Sequence, residues 1–149
     1  MKTETEQIKA RDPRIPILFV DDDPIAHRIL RHHLKGWQLT CVFSGKEALK
    51  ALEKENYVIV LTDLIMPEMD GIELLHELKR KYGNRVQVIV VTASDQLEYL
   101  TKALDGGAND YLLKPLKRDE LEVVLEHALS KINRWNRAMK ELVARKKGV

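Results

Sequence analysis

One cysteine, Cys41, stands in a chain of 149 residues, so no disulfide can close within it. It lies in the apolar stretch LTCVF, where a small thiol reads as a buried hydrophobe and not as a reactive group. Long hydrophobic runs are lacking as well. No stretch approaches the roughly 18 apolar residues that a membrane-crossing helix requires, so no membrane partner is expected. The opening segment MKTETEQIKARDPR is charged and has no apolar core of the kind an export signal carries, so the expected location is the cytoplasm. The two signs of charge nearly balance, with a net of +2, but they are unevenly spread. Residues 131–149 hold seven Lys and Arg against one Glu, which leaves −4 on residues 1–130. A mildly acidic body with a basic tail results, and charge spread along a helix is more often a solvated face than a nucleic-acid surface.

What is present is a hydrophobic fraction of 44%, enough for the core of one domain of ordinary size. Residues 1–14 carry no apolar period and are expected to form a flexible lead. From Ile15 the chain alternates short apolar runs with helical patterns: IPILFV, QLTCVF, YVIVLT, VQVIVVTA and DYLLK read as strands. Between them, Asp23 with Pro24, Ser44 with Glu47, and Asp70 mark helix starts, while Gly36, Gly83 and Gly106 mark stops. Ile25, Ile29, Leu30 and Leu34 are expected to form the inward stripe of the first helix. The strands show no strict polar alternation, as expected of parallel strands covered on both faces. The fold class is therefore α/β: an open, doubly wound, five-stranded parallel sheet with an extended C-terminal helix. Right-handed crossovers suggest strand order 2-1-3-4-5, a flavodoxin-like arrangement whose switch point lies between strands one and three.

That order brings functional groups to one crevice. Asp21, Asp22 and Asp23 follow the first strand, Asp63 the third, Thr92 ends the fourth and Lys114 the fifth. Clustered carboxylates repel one another unless a cation lies among them. Oxygen donors without His or Cys suit a hard ion, and a small carboxylate set with room for water and phosphate suits Mg²⁺ better than Ca²⁺. With a hydroxyl at Thr92 and an ammonium at Lys114, the set is suited to holding a phosphoryl group on Asp63, since an aspartate can be a covalent acceptor.

Four fragments in order, FVDDDP, TDLIMPEMDG, VVTA and YLLKPL, resemble the response regulator receiver family over residues 15 to about 130. The resemblance implies that Asp63 accepts a phosphoryl group from a sensor histidine kinase or phosphotransfer protein. It further implies that Asp21, Asp22, Asp63 and the Ile65 backbone carbonyl hold Mg²⁺, and that Thr92 and Lys114 bind the phosphoryl oxygens. The Lys114-Pro115 bond is implied to be cis, and Tyr111 to turn inward as Thr92 moves. Leu116 stands where the family often has Phe, a matter of packing. Asp23 reads as a helix cap, His27, His32 and His33 as surface residues, and Met66 and Met69 as loop packing.

Past Ser130 the helical pattern continues. Leu121, Leu125, Ala128, Ile132, Trp135, Met139 and Leu142 are spaced alternately four and three apart, a heptad seam. Residues 131–149 are thus expected to form a basic amphipathic extension, a coiled coil or linker that pairs two chains into a homodimer. The alternative is one long helix folded back on its own domain. No helix-turn-helix fits in the remainder, so direct nucleic-acid binding is not expected. The chain either works through protein contacts alone or precedes an output domain beyond Val149. Two rival functions remain. An aspartyl-phosphate phosphatase of the haloacid-dehalogenase kind needs a second acid where Ile65 stands. A receiver-like interaction domain that is never phosphorylated would leave Asp63, Thr92 and Lys114 without work, and the chain is not read as a turnover enzyme.

Overall fold

The computed structural model, which describes residues 15–93, 95 and 97–148, alternates strand and helix along the chain. The expected lead of residues 1–14 lies outside the described residues. The elements are β1 (Pro16–Val20), α1 (Pro24–His33), β2 (Gln38–Val42), α2 (Gly45–Lys54), β3 (Ile59–Asp63), α3 (Gly71–Tyr82), β4 (Gln87–Ala93), α4 (Leu97–Asp105), β5 (Asp110–Lys114) and α5 (Arg118–Lys147). Every strand pairing is parallel, and the order across the sheet is β2-β1-β3-β4-β5. Both match the expected order.

Local chemistry sets the helix starts. Asp23 accepts the Ile25 N–H at 2.9 Å with Pro24 in the first turn, where a missing donor costs nothing. Ser44 Oγ accepts the Glu47 N–H at 3.2 Å while Glu47 reaches back to the Phe43 N–H at 2.9 Å. Asp70 caps α3 by accepting the Glu73 N–H at 2.9 Å. At the other end of α3, Gly83 takes a positive φ of 59° that a side chain would resist.

Successive strand residues face opposite layers, so one sheet feeds two cores. Leu18, Val20, Val60, Val88 and Val90 meet Ala48 and Leu52 of α2, Leu74, Leu75 and Leu78 of α3, and Ala103 of α4. Ile17, Phe19, Ile59, Leu61, Ile89, Val91 and Leu112 meet Ala26 and Leu30 of α1, Leu34 just past its end, and Leu121, Leu125, Ala128 and Leu129 of α5. Each fully buried Leu or Ile contributes on the order of 1.5–3 kcal/mol of transfer free energy.

Several sequence expectations are corrected by this packing. Ile25 and Ile29 are exposed, because the arc of α1 that meets the sheet runs through Ala26, Leu30 and Leu34. His27 lies on that same arc and is buried, not a surface residue. Cys41 is only half-buried, since β2 is an edge strand. The helix α5 does not fold back: it runs unbroken for 30 residues, about 45 Å at 1.5 Å per residue. Its apolar stripe divides in two. Leu121, Leu125 and Ala128 are in the core and Ile132 is partly buried, whereas Trp135, Met139 and Leu142 are more than half exposed. Among the described residues no helix is long and apolar enough to cross a membrane.

Candidate functional site

Strand register assembles the site. Val20 pairs with Thr62, so the next residues, Asp21 and Asp63, emerge side by side at the carboxyl edge of the sheet. Asp63 pairs with Val91, one residue before Thr92, and Ala93 pairs with Lys114. Three central strands and one edge strand therefore deliver their terminal groups to one place. One oxygen each from Asp21, Asp22 and Asp63 lie within 4.8 Å of one another, a group that could hold a metal ion.

Lys114 joins them. Its Nζ donates to Asp21 Oδ2 at 3.1 Å and to Asp63 Oδ2 at 3.4 Å. The Asp21 side chain is fully buried, that of Asp63 is 14% exposed and that of Lys114 32%. Burial first, then the charge of Asp21, pushes the Asp63 carboxyl above its ordinary value, against the pull of Lys114 and the Leu64 N–H. Burial works to lower the pKa of Lys114, yet its hydrogen bond to Asp21 and the charge of Asp63 outweigh that and hold it above the usual lysine value. One ammonium cannot balance these acids: three carboxylates and Lys114 leave a formal −2. The charge and the all-oxygen donor set both fit a hard divalent cation. The Asp22 carboxylate is exposed, with no hydrogen bond or ion pair among the described residues.

The backbone around Asp63 is fixed from several sides. Asp63 Oδ1 accepts the Leu64 N–H and Thr62 Oγ1 donates to the Asp63 carbonyl, both at 2.9 Å. Gly71 N–H donates to the Leu64 carbonyl at 2.8 Å, bringing the start of α3 against the loop. A Cβ at Gly71 would overlap the Asp63 carbonyl oxygen and lie 2.6 Å from Leu64 Cα, so only glycine fits. Thr92 is buried, and among the described residues its hydroxyl makes only a long 3.4 Å contact to the Ala93 carbonyl. A hydroxyl has one O–H donor, and a contact this long holds it weakly enough for the hydroxyl to turn to a better acceptor. Ile65 is half-exposed in the loop, and the Lys114-Pro115 peptide is cis. Asp23 faces its own helix as a cap and not the cluster.

The structure thus gathers Asp21, Asp22, Asp63 and Lys114 and sets Thr92 beside them, but not Tyr111, which is 52% exposed on the outer side of β5. Two participants carry little local mark in the sequence. Gly71 stands in the motif without showing the close approach that requires it, and His27, expected at the surface, shares the spacing of Leu30 and Leu34. His27 Nε2 lies 2.7 Å from the Asp21 carbonyl oxygen.

Residues 6–126 match the model of the response regulator receiver domain. The chain belongs to the response regulator receiver family. A curated relative, the transcriptional regulatory protein ZraR of Salmonella typhimurium, is 40% identical over 119 residues, covering 78% of this chain but 27% of that protein. The chain therefore spans about a quarter of the relative's length, corresponding to the receiver portion. Among solved structures, the receiver domain of the Francisella response regulator 1452 is 32% identical with a TM-score of 0.71, covering 79% of this chain and 98% of that one. The signal receiver domain of an HD domain-containing protein from Pseudomonas fluorescens Pf-5 superposes with a TM-score of 0.78 at 26% identity, over 86% and 96% of the two chains. This receiver domain is accordingly a phosphorylation-dependent signalling unit of two-component systems.

Proposed function

We propose that Asp63 is the phosphoacceptor and that the chain relays its state through α4, β5 and α5. The observation that carries this is the placement of Asp63, next to Asp21 and Lys114, at the carboxyl ends of the parallel strands. The donor is a phosphohistidine of a sensor histidine kinase or phosphotransfer protein. An Asp63 oxygen attacks phosphorus, the P–N bond breaks and its electron pair returns to the imidazole. Asp21, Asp22, Asp63 and the Ile65 carbonyl are assigned to Mg²⁺, which when bound neutralises phosphoryl and carboxylate charge. Lys114 and Thr92 are assigned to the phosphoryl oxygens. Phosphorylation adds about −1.5 to −2 charge there, so the Thr92 hydroxyl is drawn toward the new acceptors. Tyr111, now outside, turns into the space Thr92 leaves, and the surface of α4, β5 and α5 changes with it. The chain is a switch and not a turnover enzyme.

Residues 15–130 form the receiver and 131–149 the extension in this reading. Two chains pair through the exposed half of the α5 seam, Trp135, Met139 and Leu142. Ala138 and Val143 fall at flanking g and e positions, which face each other in a parallel pair and widen the apolar contact. Working by protein contacts or through an output domain after the seam, the protein acts in the cytoplasm, and residues 1–149 do not themselves contact nucleic acid or membrane.

The test is to incubate the chain with Mg²⁺ and a small phosphodonor and weigh it intact. A gain of one phosphate that Asp63→Asn abolishes is expected. Steady hydrolysis of outside phosphoesters would make it an enzyme, and no gain at all would make it an inert interaction domain. Sedimentation supports pairing if the chain is dimeric; a monomer at high concentration, with and without a phosphate mimic, overturns it.

A further inference from the structure

We propose that His27 is a positioning residue for the cation-binding end of the site, acting through the Asp21 carbonyl to aim Asp22. The proposal rests on the assignment of Asp21, Asp22 and Asp63 to Mg²⁺. A carbonyl oxygen only accepts, so the 2.7 Å contact makes Nε2 the protonated nitrogen of His27 and its donor. This bond fixes the plane of the peptide between Asp21 and Asp22. The rest of Asp21 is tied at three other points: its N–H to the Val42 carbonyl at 3.2 Å, its Oδ1 to the Asp23 N–H at 2.9 Å and its Oδ2 to Lys114. Among the described residues Asp22 has no such ties, and its exposed carboxylate inherits its direction from the peptide that His27 holds.

The ring itself is held. Phe43 lies 4.3 Å from it, tilted by 32°, and Phe19 meets it edge-on at 5.7 Å. His27 is 1% exposed, so it cannot swing to solvent without opening this stack. A buried polar side chain whose bond ends on the backbone of the acidic pair is more than core filling. An apolar residue of like shape would fill the same space and leave that carbonyl unheld.

Two variants of the full chain separate these roles. His27→Phe keeps the ring between Phe19 and Phe43 and removes the donor, while His27→Gln places an N–H near the position of Nε2. With Mg²⁺ alone in calorimetry, His27→Phe is expected to bind about tenfold more weakly, the lower end of what outer hydrogen-bond partners of metal ligands contribute. Its rate of phosphate gain falls at low Mg²⁺ and returns to the wild-type rate at saturation, and His27→Gln recovers most of the affinity. Wild-type affinity in a folded His27→Phe, a rate loss equal at every Mg²⁺ concentration, or no rescue by Gln would each overturn the role. If His27→Phe does not fold, Phe43→Leu at the half-exposed ring serves instead: about threefold weaker Mg²⁺ binding is expected, within what an aromatic pair contributes, and unchanged binding overturns the proposal. A wild-type chain that binds no Mg²⁺ overturns the site assignment itself, whereas normal wild-type binding with unaffected variants overturns only the part given to His27.

Discussion

Between Leu121 and Leu129 the apolar stripe of α5 is sunk in the core shared with α1 and the sheet, whereas from Trp135 to Leu142 the same spacing faces solvent. One helix, one period and no break separate two different environments. The contrast teaches that periodicity reports a face, not what covers it. In the first half the cover is the domain's own sheet; in the second the face is open to solvent.

Truncations in the two halves should therefore diverge most. Leu125→Ala removes a fully buried side chain and should cost about 2–5 kcal/mol in urea unfolding. Leu142→Ala, 60% exposed, should change the domain's unfolding by less than about 0.5 kcal/mol. Equal effects would erase the distinction between the halves. Next in size, Gly71→Ala drives a methyl into the backbone of Asp63 and Leu64 and should cost about 1–3 kcal/mol as an overpacking change. Its phosphate gain should fall along with its stability, because the displaced atoms are those that hold the acceptor.

Much of the fold is legible in the sequence. Pro24, the Ser44–Glu47 pair and Asp70 punctuate helices by local hydrogen bonding, which leaves a mark in the sequence. The acids at the strand ends were readable for the same reason: a polar residue directly after an apolar run is conspicuous. What could not be read depends on tertiary choice. The apolar residues of α1 cover two arcs, Ile25 with Ile29 and Ala26 with Leu30 and Leu34, and only the sheet decides which is inside. His27 goes inside with the second arc. The ion pairs of Lys114 join residues 93 and 51 positions apart, a distance over which local pattern is silent.

A smaller effect concerns charge within the body. Because folding raises the Asp63 pKa, the folded chain keeps that proton in a pH window where the unfolded chain has lost it. The folded state therefore loses stability as pH rises from the ordinary value of 3.8 through the raised one. Asp63→Asn should melt at a higher temperature than wild type at pH 7. The gap should close as pH falls below 3.8, and Mg²⁺ should narrow it at pH 7. A mutant that melts lower at pH 7 would show that Lys114 more than compensates the acids.

Smallest in stability is Trp135→Glu, on the solvent side of α5. Its melting temperature should match wild type within about 0.5 kcal/mol equivalent, while sedimentation should shift toward monomer. A loss of stability without a change in mass would mean that this half leans on the domain after all.

The unbroken length of α5 has a mechanical consequence. From Arg118 to Lys147 there is neither glycine nor proline, so no joint interrupts the hydrogen-bond ladder where bending would concentrate. The segment beyond Ile132 is about 22 Å long, so a tilt of about 14° at its root swings the far end by about 5.4 Å, one helical turn. The rod can thus act as a lever, turning a repacking of a few side chains at Leu121 and Leu125 into a sideways step of that size at its far end.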